Sequence, residues 1–336
     1  MHDLACVIHL HSTYSDGTGT VRQIAKAGRR AGADVVLLTD HDTLAAKRNG
    51  EEGRYGDVLL LVGEEVSPRR RNHYLAFGID DEIDHSRLDS AGICAAVRAA
   101  GGFGFAAHPF SQGSERFKRA GPGMPFDALD AVDGIELWSF VNDTGESVSS
   151  VPQMLRFLLA PGRALDHPPD RNTRAWDELC RSRRVVAIGG IDAHQYGKRI
   201  GPFVPLRLMA YHRSFRHIRT HVLCEGPPDR DQVYSALRSG RCYIAVDSLA
   251  PARGFDFEAD DLPMGAEAPA GRRRLSVRTP SDCKLRLLCD GQAIAGGVGH
   301  ALETEVEAPG VYRVEALRRS HGRERTWILS NPIYLR

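Results

Sequence analysis

The sequence predicts an α/β chain that ends in a small all-β unit. Three observations carry this. Apolar strand-like runs alternate with helical stretches from "ACVIHLH" to "RCYIAV", the rhythm of a mostly parallel sheet, open or closed into a barrel. After "SLAPARG" the helices stop and short β-type runs follow one another. At 336 residues the chain can hold two such units, read here as 1–250 and 251–336.

Taken in order, "ACVIHLH" is a buried strand whose alternation puts Ala5, Val7, His9 and His11 on one face. The turn-rich "STYSDGTG" leads into a helix through "VRQIAKAGRRAG", with Thr20 as its N-cap and Gly32 as its stop. "DVVLLTD" and "DVLLLVGEEVS" are the next strands. A helix through "SRLDSAGICAAVRAAGG" precedes the strands "FGFAAHP" and "GIELWS", and helix "TRAWDELCRSRR" precedes strand "VVAIGGIDAH". "RDQVYSALRSG" and "RCYIAV" complete the pattern near Asp247. Beyond Leu249–Phe255, strand-like runs are broken by Asp290-Gly291, Pro309-Gly310 and His321-Gly322, turn pairs that suggest a small sandwich.

Composition narrows the function. Charged residues make up 26 % of the chain and its net charge is +1, so no field gathers nucleic acid or anionic lipid. The expected partner is a small-molecule substrate, with nucleic acid admitted only as short oligonucleotides and self-association left open. The seven cysteines form no Cys-x-x-Cys pair, which supports neither a disulfide framework nor a thiolate zinc site. The start "MHDLACVIHLHS" lacks the basic and apolar regions of a secretion signal, and no apolar stretch has bilayer length. A cytoplasmic enzyme is expected.

The chemistry gathers where strands end, the end at which parallel α/β folds place their ligands. His9 and His11 close the first strand, Asp16 sits in the following turn and His41 closes "LLTDH". Glu64 and Glu65 close "VGEEVS", His73 lies in "RNHYLAFGID", His108 closes "FAAHP", and Asp192 and His194 close "GGIDAH". His-x-His alone reads equally as a packed pair, and Asp16 alone as a turn residue. Their recurrence at one rim points to a metal centre, because buried polar groups cost several kcal/mol unless something coordinates them. Imidazole and carboxylate without thiolate suit Zn²⁺, Mn²⁺ or Fe²⁺.

The order His-x-His, Asp, Thr-Asp-His, Gly-x-Glu, His, His-Pro, Asp-x-His resembles the polymerase and histidinol phosphatase (PHP) superfamily, over about Met1 to Asp247. The resemblance implies a distorted (β/α)7 barrel that holds three divalent metal ions (Mn, Zn or Fe). It implies His9, His11, Glu65 and Asp192 around the first ion. Glu65, His73 and His108 would surround the second, and Asp16, His41 and His194 the third. Glu65 is chosen over Glu64 because "GEEVS" is similar to the family's Gly-x-Glu-hydrophobic-Ser/Thr pattern, and alternation lets only one of the two face inward. A barrel followed by a small Ig-like sandwich ending "WILSNPIYLR" is similar to the carbaryl-hydrolase-like group, which implies carbamate or carboxylic-ester hydrolysis.

A hydroxide bridging two metals can attack phosphorus or a carbonyl carbon. A third ion beside such a pair suits an anionic, multi-oxygen group, so hydrolysis of a small phosphomonoester, a nucleotide or sugar phosphate, is the favoured reaction. Carbamate or ester hydrolysis is the alternative. Asp40, beside His41, is expected to orient an imidazole, and Glu136 in "GIELWS" to hydrogen-bond a ligand histidine. His167 is the candidate general acid, and Arg171, Lys198 and Arg199 are candidate phosphate clamps.

Overall fold

The computed structural model describes residues 1–69, 71–113, 124–146, 148–163, 165–195, 197–200, 204–207 and 209–336. Seven strands pair in sequence order: β1 (His2–Ile8), β2 (Val35–His41), β3 (Val58–Val66), β4 (Tyr74–Phe77), β5 (Phe103–Ala106), β6 (Gly134–Ser139) and β7 (Val186–Gly190). The ends of β7 and β1 then meet. Ile191 N donates to Ile8 O at 3.0 Å, Asp192 N donates to His9 O at 2.8 Å, and Leu10 bridges Ala193 in parallel. Two further strands, β8 (Ile218–Cys224) and β9 (Cys242–Val246), extend the sheet antiparallel from the other side of β1.

The sheet is therefore mixed, where the sequence pattern predicted one mostly parallel. β4 runs antiparallel to both β3 and β5. The link from Ser67 to His73 is too short for the crossover of roughly a dozen residues that a parallel neighbour needs. Reversal has a useful result: His73, just before β4, reaches the same rim as the residues that follow the parallel strands.

Helix α1 (Val21–Ala31) shows how local sequence sets an element. Thr20 accepts from Gln23 N while the Gln23 side chain accepts from Thr20 N, a reciprocal cap, and Gly32 closes the helix at φ 76°. Val21, Ile24 and Ala25 share a buried cluster with Val36 and Leu38 of β2, which fixes the rim above them. Among the described residues no helix is long and apolar enough to cross a membrane.

The C-terminal strands β10 (Arg273–Cys289), β11 (Gln292–Val306), β12 (Gly310–Ser320), β13 (Arg323–Ser330) and β14 (Ile333–Leu335) are antiparallel where they pair. Phe257, Leu275, Leu285, Val314 and Trp327 form their buried cluster. β13 also pairs with β9, so the sheet runs on across Leu249–Phe255. Helices α2 (Phe140–Glu146) and α3 (Asp170–Ser182) flank β6 and β7.

Candidate metal centre

All nine sequence-predicted ligands meet at the rim where β1, β2, β3, β5 and β7 end and β4 begins. Glu65 lies at their centre. Its Oε2 is 3.3 Å from His9 Nε2, 3.3 Å from His11 Nε2 and 3.1 Å from His41 Nδ1, and its Oε1 is 2.8 Å from His73 Nδ1 and 3.4 Å from His108 Nε2. Asp192 Oδ1 faces His9, His11 and His194 at 3.4, 3.2 and 3.5 Å. Asp16 Oδ1 lies 3.1 Å from His194 Nε2 and 3.7 Å from His41 Nε2.

Backbone strain accompanies this convergence. His9, His108 and Asp192 sit at φ 65°, 32° and 55°, a left-handed region that costs an ordinary residue roughly 1–2 kcal/mol. β1 thus ends at Ile8, and Leu10 packs in the same cluster as Val7 where strict alternation would have separated them. Both imidazoles nonetheless turn into the site. Such outliers persist where the surroundings fix them, commonly at functional sites.

The donor set fits divalent cations. His9 Nε2, both ring nitrogens of His11, Glu65 Oε2 and His108 Nδ1 are enclosed without a hydrogen bond among the described residues. An orphaned buried polar group costs about 1–3 kcal/mol, and here several converge at ligand-like separations. Combinations from the nine, such as His11, Asp16, His41 and His194, or His9, His11 and Glu65, offer atoms all within 4.8 Å of one another. The groupings overlap: His11 reaches the Asp16 set, and His108 groups with His9 and Asp192.

Surrounding groups prepare the ligand nitrogens. Glu136 Oε1 is 2.9 Å from His9 Nδ1, while its Oε2 accepts from His108 N at 2.7 Å. Ser67 Oγ donates to Glu65 O at 2.7 Å and so accepts from His41 Nδ1 at 2.6 Å. His194 Nδ1 lies 3.2 Å from the Asp192 carbonyl oxygen. A proton held on Nδ1 by these partners would leave Nε2 of each ring as the ligand atom. Asn142, on α2, donates to Asp192 Oδ2 at 2.7 Å.

Charge follows the same design. Burial works against the Glu65 carboxylate, but His9 and His73 hold it well below its usual range. Burial likewise opposes Asp192, and His9 and His194 override it. His194 resists burial through Asp192 and Asp16 and rises to about 9, whereas burial and the neighbouring His194 push His11 down to about 4. Asp16 is 58 % exposed and His41 27 %, against 0 % for His9 and His11, so the site opens on the Asp16–His41 side.

No family model matches the chain. Over 80 residues, 22 % of the chain, it is 32 % identical to the phosphoribosyl 1,2-cyclic phosphate 1,2-diphosphodiesterase of Eggerthella lenta, and it spans about 30 % of that enzyme's length. Among solved structures it is similar to a two-domain Bacteroides vulgatus protein reported to contain a PHP-like metal-dependent phosphoesterase. That likeness has 16 % identity and a TM-score of 0.48 over 98 % of this chain and 95 % of that one. A Bifidobacterium adolescentis protein reported as a metal-dependent phosphoesterase has 19 % identity and a TM-score of 0.37 over 62 % and 94 %. An amidohydrolase from Chromobacterium violaceum with bound sulfate has 17 % identity and a TM-score of 0.30 over 56 % and 87 %. With similarity this distant, the reading of the site rests on its own geometry.

Other sequence-predicted residues lie differently. Among the described residues Asp40 accepts from Ser12 N at 2.7 Å, Ser12 Oγ at 2.6 Å and Ser15 Oγ at 2.6 Å, bracing the turn that carries Asp16, and is hydrogen-bonded to no imidazole there. Neighbours on a strand face opposite sides, and His41 takes the inward one. Glu64 likewise faces away, accepting from Ile83 N at 3.1 Å, and burial pushes it up to about 7. His167 is outside the cluster: its Nδ1 is 2.8 Å from Thr326 Oγ1, and it lines a cavity of about 360 Å³ with Trp138, Asp143, Phe157 and Arg323. Arg171 is engaged by Glu146 and by the Phe110 carbonyl at 3.1 Å. Lys198 and Arg199 lie on the strand Gly197–Ile200, where their side chains are outside the described residues.

Proposed function

We propose that the chain is a metal-dependent phosphoesterase of the PHP superfamily, acting on a small phosphomonoester such as a nucleotide or sugar phosphate. In this reading residues 1–250 are a distorted (β/α)7 barrel and 251–336 an Ig-like sandwich. The observation that carries it is Glu65, whose two oxygens face five histidines within 3.4 Å inside a cluster of nine ligand-type residues. His9, His11, Glu65 and Asp192 would hold one ion, Glu65 with His73 and His108 a second, and Asp16, His41 and His194 a third, each Mn, Zn or Fe. When bound, such ions lower the pKa of water and neutralise charge on a phosphoryl group.

The chain's own residues supply the rest. Glu136, Ser67 and the Asp192 carbonyl hold protons on the outer ring nitrogens, so His9, His41 and His194 present lone pairs inward. Buried His9, His11 and Glu65 wall the inner side from water, and the exposed Asp16 marks where an anionic substrate enters. A panel with Mn²⁺ or Zn²⁺ tests this, comparing p-nitrophenyl phosphate with naphthyl carbamate and naphthyl acetate. Phosphate turnover that Glu65→Gln abolishes supports the proposal. Brisk carbamate or ester cleavage without phosphatase activity replaces it with the carbamate and ester alternative.

A further inference from the structure

Apart from the nine ligand-type residues, a second group of charges is enclosed beside β1 and β8. His221, on β8, has 0 % side-chain exposure. Its Nδ1 is 2.7 Å from Asp3 Oδ1 and its Nε2 is 3.2 and 3.3 Å from the two Asp247 oxygens. A neutral imidazole has one N–H and would turn a lone pair on one carboxylate; only the imidazolium donates to both. Asp3 Oδ2 also accepts from Tyr243 Oη at 2.7 Å and from Gly254 N at 2.8 Å, while Asp247 Oδ2 accepts from Arg219 at 2.9 Å. Two carboxylates thus balance one imidazolium and one guanidinium.

The group sits at a seam. The Tyr243 ring stacks on His221 at 4.7 Å, and Tyr243 belongs to the buried cluster of the C-terminal strands. Gly254 and Arg253, which donates to Asp3 O at 2.8 Å and pairs with Asp34, lie on the link into those strands. β9 carries the pairing to β13.

We propose that His221 is a proton-operated latch: as an imidazolium between Asp3 and Asp247 it fastens β1 and β8 to the link and strands of the C-terminal unit, and losing its ring proton loosens that seam. The charged and titratable groups that face it are Asp3 from β1, Arg219 from β8, Tyr243 from β9 and Asp247 after it, with Arg253 and Asp34 behind Asp3. Burial alone would lower the imidazole, but its hydrogen bonds to Asp247 and Asp3 raise it above the ordinary 6.5. The sign follows: the stabilisation is complete below 6.5 and is lost as pH rises through the raised value.

The test is ring-nitrogen NMR on the full chain labelled at histidine, with hydrogen exchange of β9 and β13 corrected for intrinsic rates. The latch requires both His221 nitrogens protonated at pH 7 and protection of β9 and β13 that falls when the ring titrates, while β2 and β3 stay protected. In His221→Gln that pH step should vanish. A neutral His221 ring at pH 7, or protection of β9 and β13 unchanged through its titration, overturns the proposal; the wild-type spectra decide it even where the variant fails to fold.

Discussion

Glu136 shows how a single side chain is read once its partners are known. One oxygen fixes His9 and the other holds the His108 amide, so it controls two ligands at once. Glu136→Gln should weaken Mn²⁺ or Zn²⁺ binding by about 10–100-fold in competition with a chelating dye, and Asn142→Leu should act similarly through Asp192. The Glu136 role was legible because it lies on a strand among ligand strands, although that strand runs on to Ser139. Asn142 was not, since its contact with Asp192 spans fifty positions and no local pattern announces it. Asp40 misled for a related reason: adjacency to His41 in sequence is separation across a strand in space. Protons compete with the ions. His194 rises to about 9, and His9 is also raised, burial being outweighed by Glu136, Glu65 and Asp192. Metal loading must displace these protons, so affinity should climb as pH rises towards about 9, where His194 gives up its proton. Calorimetry in buffers of different ionisation heat should register proton release on binding at neutral pH; an affinity that does not change with pH below about 9 would refute it.

At the level of elements, strand ends explain most of what the sequence disclosed. Strands that run parallel to one another put their last residues at one rim, so "TDH", "GEE", "HP" and "IDAH" could be placed without a structure. Direction was harder. Whether β4 runs parallel depends on how far the chain travels from Ser67 to His73, and apolar patterning does not encode that. Left-handed turns at His9, His108 and Asp192 were equally hidden, because they are imposed by packing at the rim and not by glycine. Where glycine does decide, the requirement is steric. A Cβ at Gly190 in β7 would overlap Glu136 Oε1 and crowd His9. Gly190→Ala should therefore reproduce the metal-binding defect of Glu136→Gln while leaving the far-ultraviolet circular dichroism intact; normal metal affinity would show that Glu136 has room to shift.

Across the whole molecule, the N-terminal sheet and the C-terminal strands are tied by buried polar contacts as well as by β9–β13 pairing. Arg313, on β12, grips Asp177 of α3 through two hydrogen bonds of 2.6 and 2.9 Å and is 2 % exposed. Removing one partner of such a pair strands the other, so Asp177→Ala should cost about 3–5 kcal/mol in urea unfolding. Asn331 adds hydrogen bonds to Ala187 and Cys242 of β7 and β9. The change of grammar after "SLAPARG" revealed the second set of strands but not this continuity, because cross-sheet pairing is set by long-range register. The proposed function returns to the rim. Crystals soaked in Mn²⁺ and measured at the manganese absorption edge should show anomalous peaks enclosed by His9, His11, Asp16, His41, Glu65, His73, His108, Asp192 and His194; a featureless anomalous map at that rim would contradict the account.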